Sequence, residues 1–196
     1  YNFLKIAETY QDKWDWDIIN CRLSSLFTID LLSNENICEY ISWNSVERNV
    51  LPSELLKVIV IYPEKFDWSI VTERVCTTVT IETLLAKSII DRWDWNCLTR
   101  CVPVNVLQEG LSYTELPWDW SVVSQRLYPD FILNNLNVYQ DKWDWDVIWN
   151  KCFTHTFVSD NLSAVAKAIN SLDEEISNTQ WKSLTRIFNK IELKEL

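Results

Sequence analysis

Glycine occurs once in the 196 residues, at Gly110, and methionine does not occur at all. Glycine supplies the positive-φ positions of primed hairpins and lets the backbone come close to phosphates. Average proteins carry about 7% of it, so this near-absence excludes glycine-rich nucleotide loops and most two-residue hairpin turns. Histidine is also single, at His155. One imidazole cannot build a histidine metal set, and it leaves little for acid–base chemistry. No apolar run of membrane length and no signal-peptide pattern is visible. Positive charge is scarce too: residues 1–98 carry 15 acids against 9 bases, residues 99–196 carry 13 against 9, and the net charge is −10. A chain of that sign lacks the footprint that releases counter-ions from nucleic acid, and it is repelled by anionic membranes. Neither is expected as a partner.

Tryptophan is abundant instead, with 12 copies. The tripeptide Trp-Asp-Trp stands at 14–16, 93–95, 118–120 and 143–145, and weaker copies are Ile41-Ser42-Trp43, Phe66-Asp67-Trp68 and Thr179-Gln180-Trp181. The last residue of each copy falls at 16, 43, 68, 95, 120, 145 and 181, giving spacings of 27, 25, 27, 25, 25 and 36. A period in the twenties indicates a stacked repeat rather than one globular core.

With that residue as position 0, position +3 is Ile19, Val46, Val71, Leu98, Val123, Ile148 and Leu184. Position +7 is Leu23, Val50, Val75, Val102, Leu127, Cys152 and Phe188. Apolar residues at 0, +3 and +7 share one face of an α-helix. Asp15, Asp67, Asp94, Asp119 and Asp144 precede position 0, where an N-cap carboxylate accepts a free backbone N–H. The tripeptide therefore predicts a helix start, with the first Trp at N′ and the +3 aliphatic at N4 as a hydrophobic staple. Position 0 is expected to lie in the core, the first Trp less uniformly so. A second helix is expected in each period, opening at Pro52 toward Ile61, at Thr80 toward Ile90, and near Pro103 and Pro129. Short charged links such as Gln11-Asp12-Lys13 and Gln140-Asp141-Lys142 return the chain to the next motif.

These features predict an all-α fold: an α-solenoid of about seven short helix-turn-helix repeats of ~26 residues. Residues 1–158 would form the tandem array. Residues 159–196 would form an atypical C-terminal cap of the same array, with a capping box at Ser171 and Glu174 and an apolar face at Leu184, Ile187, Phe188 and Ile191. A segment that starts at Tyr1 and has no methionine is expected to be part of a longer protein, with Tyr1–Tyr10 as the second helix of a preceding unit.

A basic residue also recurs. Arg22, Arg48, Arg74, Arg100 and Arg126 stand 26 apart, followed by Lys151 and Arg186. Such a ladder can bind phosphates or an acidic peptide, or it can serve the stack itself by pairing with motif Asp residues or lying on a neighbouring Trp. The structural role is the preferred expectation. Trp149, the one indole outside the motif, is a candidate partner contact. Cys97 and Cys101 have metal-compatible spacing but lack a second pair, so no metal and no cofactor is expected. The cysteines sit in apolar helical runs as small reduced hydrophobes, which points to the cytoplasm. The acid pairs Asp15/Asp17 and Asp144/Asp146 fall in helix first turns, where acid favours the dipole, and imply no catalysis.

The unit Trp-Asp-Trp, two residues, an aliphatic, then Ser, Thr or Asn resembles a tryptophan-rich repeat found in tandem in bacterial and giant-virus proteins, commonly Trp-Asp-Trp-x-x-Leu-Ser. Here the last two positions read Ile19-Asn20, Val71-Thr72, Leu98-Thr99, Val123-Ser124 and Leu184-Thr185, while Val46-Glu47 and Ile148-Trp149 depart at the polar position. The resemblance implies repeat architecture and no particular activity. With no catalytic constellation in sight, the expected function is non-enzymatic: a recognition or scaffold region binding a protein or peptide partner. The alternative is nucleic-acid or acidic-ligand binding along the Arg ladder.

Overall fold

The computed structural model describes residues 2–22, 32–170, 181, 182 and 185. Every regular element among them is an α-helix or a short 3-10 turn. They divide into two compact units, residues 1–117 and 118–196.

The first unit contains α1 (Asn2–Thr9), α2 (Trp16–Arg22), α3 (Trp43–Asn49), α4 (Pro52–Ile61), α5 (Trp68–Val75), α6 (Ile81–Leu84), α7 (Trp95–Cys101) and α8 (Val104–Gly110). 3-10 turns at Gln11–Lys13, Cys38–Tyr40, Pro63–Lys65 and Ile90–Arg92 precede four of the motifs. The motif helices pack in order, α2 on α3, α3 on α5 and α5 on α7, and α6 packs on α8. The second unit contains α9 (Trp120–Arg126), α10 (Pro129–Asn134), α11 (Trp145–Cys152), α12 (His155–Asp160) and α13 (Leu162–Asn170). There α9 and α10 both pack on α11, and α13 lies against α10 and α12.

The expected periodicity sets the core. Val46, Val71, Leu98, Val123 and Ile148 at +3 are fully buried and Ile19 is half-buried; Val75, Val102, Leu127 and Cys152 at +7 are fully buried, with Val50 nearly so. Each helix is too short to persist alone, so this shared apolar face provides most of its stability.

Two expectations are corrected. The helix opening at Thr80 stops at Leu84 instead of running to Ile90, because Ala86 turns the chain and its carbonyl accepts the N–H groups of both Ile89 and Ile90 at 3.0 Å. The burial order of the motif aromatics is also reversed in the motifs at 66–68, 93–95, 118–120 and 143–145, while at 14–16 both tryptophans are half-buried. Phe66, Trp93, Trp118 and Trp143 at N′ are buried, whereas Trp16, Trp43, Trp68, Trp95, Trp120 and Trp145 at position 0 are half-buried.

The alternation of 25- and 27-residue periods has a local origin in the described periods. In the shorter ones the C-cap of the motif helix is followed at once by the N-cap of the next helix, as at Val50-Leu51, Val102-Pro103 and Leu127-Tyr128. In the period from Trp68 to Trp95 a longer turn runs from Cys76 to Thr80. The capping box at Ser171 and Glu174, and Leu184, Ile187, Phe188 and Ile191, lie outside the described residues.

Candidate functional site

In the six described motifs the residue before position 0 caps the helix that follows. Asp15 accepts the N–H of Ile18 at 3.1 Å, Asp94 that of Cys97 at 3.0 Å and Asp144 that of Val147 at 3.2 Å. Asp119 accepts from Ser121 and Val122, and Ser42 does the same job for Ser45. At Asp67 the hydroxyl and backbone N–H of Ser69 both donate to the carboxylate, at 2.7 and 3.0 Å, and hold its pKa below the ordinary aspartate value.

The half-burial of position 0 follows from helix geometry. A side chain on the first helical residue leans back toward the N-terminus. The indole N–H thus reaches the carbonyl five residues earlier: Trp16 to Gln11 and Trp68 to Pro63 at 2.8 Å, Trp145 to Gln140 at 3.2 Å, and Trp95 to Ile90 at 3.3 Å. Each such bond clamps a link onto the helix it precedes. The same ring meets the first aromatic of the following motif edge-on, Trp43 with Phe66 at 5.5 Å, Trp68 with Trp93 at 5.0 Å and Trp120 with Trp143 at 5.2 Å. Edge-to-face pairs of this kind add about 0.5–1.5 kcal/mol beyond area burial.

The buried polar side chains among the described residues are Asn20, Glu47, Thr72, Thr99 and Ser124, and every one occupies position +4. In four of them the partner is the backbone N–H of the next motif's N-cap residue. Ser42 donates to Asn20 at 3.0 Å, Asp67 to Glu47 at 3.0 Å, Asp94 to Thr72 at 3.2 Å, and Asp144 to Ser124 at 3.0 Å. The hydroxyls of Thr99 and Ser124 in turn donate to the position-0 carbonyls of Trp95 and Trp120. Glu47, which departs from the Ser/Thr pattern in sequence, therefore does the same work with a carboxylate oxygen. At Trp149 position +4 carries no such acceptor; that half-buried indole stacks on Phe153, ring centroids 4.8 Å apart.

The basic ladder divides. Arg74 turns its guanidinium onto the last carbonyls of α3, donating to Glu47 O and, at 2.7 Å, to Val50 O. Lys151 does the same to α9 through Ser124 O at 3.3 Å, Gln125 O at 2.6 Å and Leu127 O. Cations at a helix C-terminus satisfy orphan carbonyls and oppose the negative dipole end. Burial holds the Lys151 ammonium below the ordinary lysine value. Arg48 and Arg100 are exposed, and Arg48 bonds Asn44 at 2.6 Å on its own helix. Arg126 is half-buried, and the side chain of Arg22 lies outside the described residues.

Three thiols that are scattered in sequence, Cys76, Cys97 and Cys101, line one cavity of about 510 Å³ together with Glu73, Asp94 and Arg100. The sulfurs of Cys97 and Cys101 are 3.6 Å apart. Burial raises the pKa of both thiols, and at Cys101 the neighbouring sulfurs add to it, so both stay protonated at neutral pH. Among the described residues no group of three or more His, Cys, Asp or Glu is placed to hold a metal ion. No described helix is long and apolar enough to cross a membrane. His155 begins α12 under a Thr154 cap.

Comparison with known proteins returns no matching family, no similar curated protein and no similar solved structure.

Proposed function

We propose that this chain is a tryptophan-rich helical repeat, an α-solenoid of about seven units, acting as a non-enzymatic recognition or scaffold region that binds a protein partner in the cytoplasm. The observation that carries the reading is a repeated pattern of exposed apolar side chains. Ile61, Tyr113 and Val138 each stand 18 residues after a position-0 Trp and are 50%, 42% and 61% exposed. Leu51 and Tyr128, at +8, are 60% and 66% exposed. Exposed apolar groups that gather into one patch mark a surface that meets another protein, and these side chains are the ones this reading assigns to it. The motif residues, by contrast, are engaged with their own neighbours, and only Arg48 and Arg100 of the described ladder side chains stand exposed.

The test is capture from lysate followed by titration of the purified partner. Wild type is compared with Leu51→Ser/Ile61→Ser and with Arg48→Glu/Arg100→Glu, the two exposed ladder residues, at two salt concentrations. A protein partner weakened by the apolar pair, with a shallow salt slope, supports the reading. A nucleic acid or acidic ligand with a steep slope, lost with the arginine pair, supports the ladder instead.

A further inference from the structure

In the three described periods of 25 residues, the positions +19 and +22 after the motif Trp can be compared directly. After Trp43 they are Tyr62 and Lys65; after Trp120 they are Tyr139 and Lys142. In both cases these two side chains close over the indole. The Tyr rings lie 5.3 and 5.2 Å from it, and the ammonium groups sit 6.0 and 5.4 Å from its centroid. A lysine over a tryptophan face is held by the ring quadrupole, while its stem packs on apolar carbon.

After Trp95 the same positions are Thr114 and Pro117, so neither the tyrosine nor the lysine is encoded. A cleft of about 520 Å³ lies there, bordered by Trp95, Leu85, Ile90, Tyr113, Asp91 and Glu115. That volume is in the range of small-ligand sites, about 300–1,000 Å³. Two carboxylates edge it, and none of its lining residues is basic.

We propose that this cleft receives a lysine side chain from a protein partner, with the ammonium on the Trp95 face between Asp91 and Glu115 and the stem on Leu85 and Ile90. The chain carries the template for the complex twice, at Trp43 with Lys65 and at Trp120 with Lys142. A net charge of −10 draws a basic segment toward the site. The inference rests on the reading that the chain binds a protein, and it names the side chain that partner would present.

Indole N–H resonances of the nitrogen-15-labelled protein, titrated with Nα-acetyl-lysine methylamide, test it. The Trp95 resonance is expected to move saturably at millimolar concentration, the norm for a single side chain, while the uncharged norleucine analogue leaves it in place. Asp91→Asn/Glu115→Gln, two exposed and conservative changes, weakens binding about tenfold. Pro117→Lys supplies the missing lysine in cis and abolishes binding, with the other indole resonances reporting that the fold is kept. No saturable shift up to about 50 mM, or an equal shift with norleucine, overturns the proposal; so does undiminished binding in the carboxylate variant, which decides the matter if Pro117→Lys fails to fold. Lysine binding without any captured protein would keep the site and refute the scaffold reading. A captured protein indifferent to the carboxylate pair would keep the scaffold and remove the site.

Discussion

The buried hydroxyl of Ser124 accepts the backbone N–H of Asp144 at 3.0 Å, tying the end of one motif helix to the first residue of the next period. The same oxygen donates to Trp120 O at 2.7 Å, so both capacities of one small group are used. Thr72 makes the equivalent tie to Asp94 at 3.2 Å. Removing either acceptor strands a backbone donor beneath the following motif.

Ser124→Ala and Thr72→Val are therefore expected to cost about 1–3 kcal/mol each, the penalty for an unsatisfied buried donor. Urea unfolding checks this. Glu47→Gln keeps an oxygen at the same place and is expected to change stability far less than Glu47→Leu.

The two kinds of ladder residue should separate in the same assay. Arg74→Met removes charge-assisted bonds to two carbonyls of α3 and is expected to cost about 1–2 kcal/mol. Arg100→Met, at an exposed position, is expected to stay within about 0.5 kcal/mol.

Asp94→Ala and Asp144→Ala each lose an N-cap and are expected to destabilise by about 1 kcal/mol, with Asn substitutions near neutral. Thermal melts of the four variants decide it.

Burial pushes the Cys152 thiol from 9.0 to about 12. Below pH 9 the thiol is protonated in both folded and unfolded chains, so it contributes no pH dependence. Above pH 9 the unfolded chain releases the proton first and binds fewer protons, so stability from this group falls as pH rises toward 12. Cys152→Ala, compared with wild type by unfolding at pH 8 and pH 10.5, should flatten that part of the profile. In the folded protein Cys152 is expected to resist iodoacetamide at pH 8.

The sequence made the helical frame legible because the +3 and +7 aliphatics repeat with helical phase and the aspartates announce N-caps, features that depend only on neighbours a turn away. The role of position +4 was not legible. A Ser, Thr or Asn four residues into a helix looks like any polar residue, and its partner, the next N-cap N–H, lies 20 to 22 residues further on. Nor could spacing order the two motif aromatics by burial, since that depends on the backward lean of the position-0 side chain toward its own link. The thiol cluster was half visible, Cys97 and Cys101 sharing a helix while Cys76 arrives from α5's C-terminus.

Amide hydrogen exchange at Asp67, Asp94 and Asp144 tests the tie between successive periods most directly. An N-cap N–H has no partner within its own helix and would ordinarily exchange at loop rates. These three are expected to be protected as strongly as the helix interiors, and Ser124→Ala is expected to release Asp144 while leaving Asp67 protected. Exchange at loop rates in the wild-type protein would contradict the account, since the +4 residues would then not hold one motif to the next.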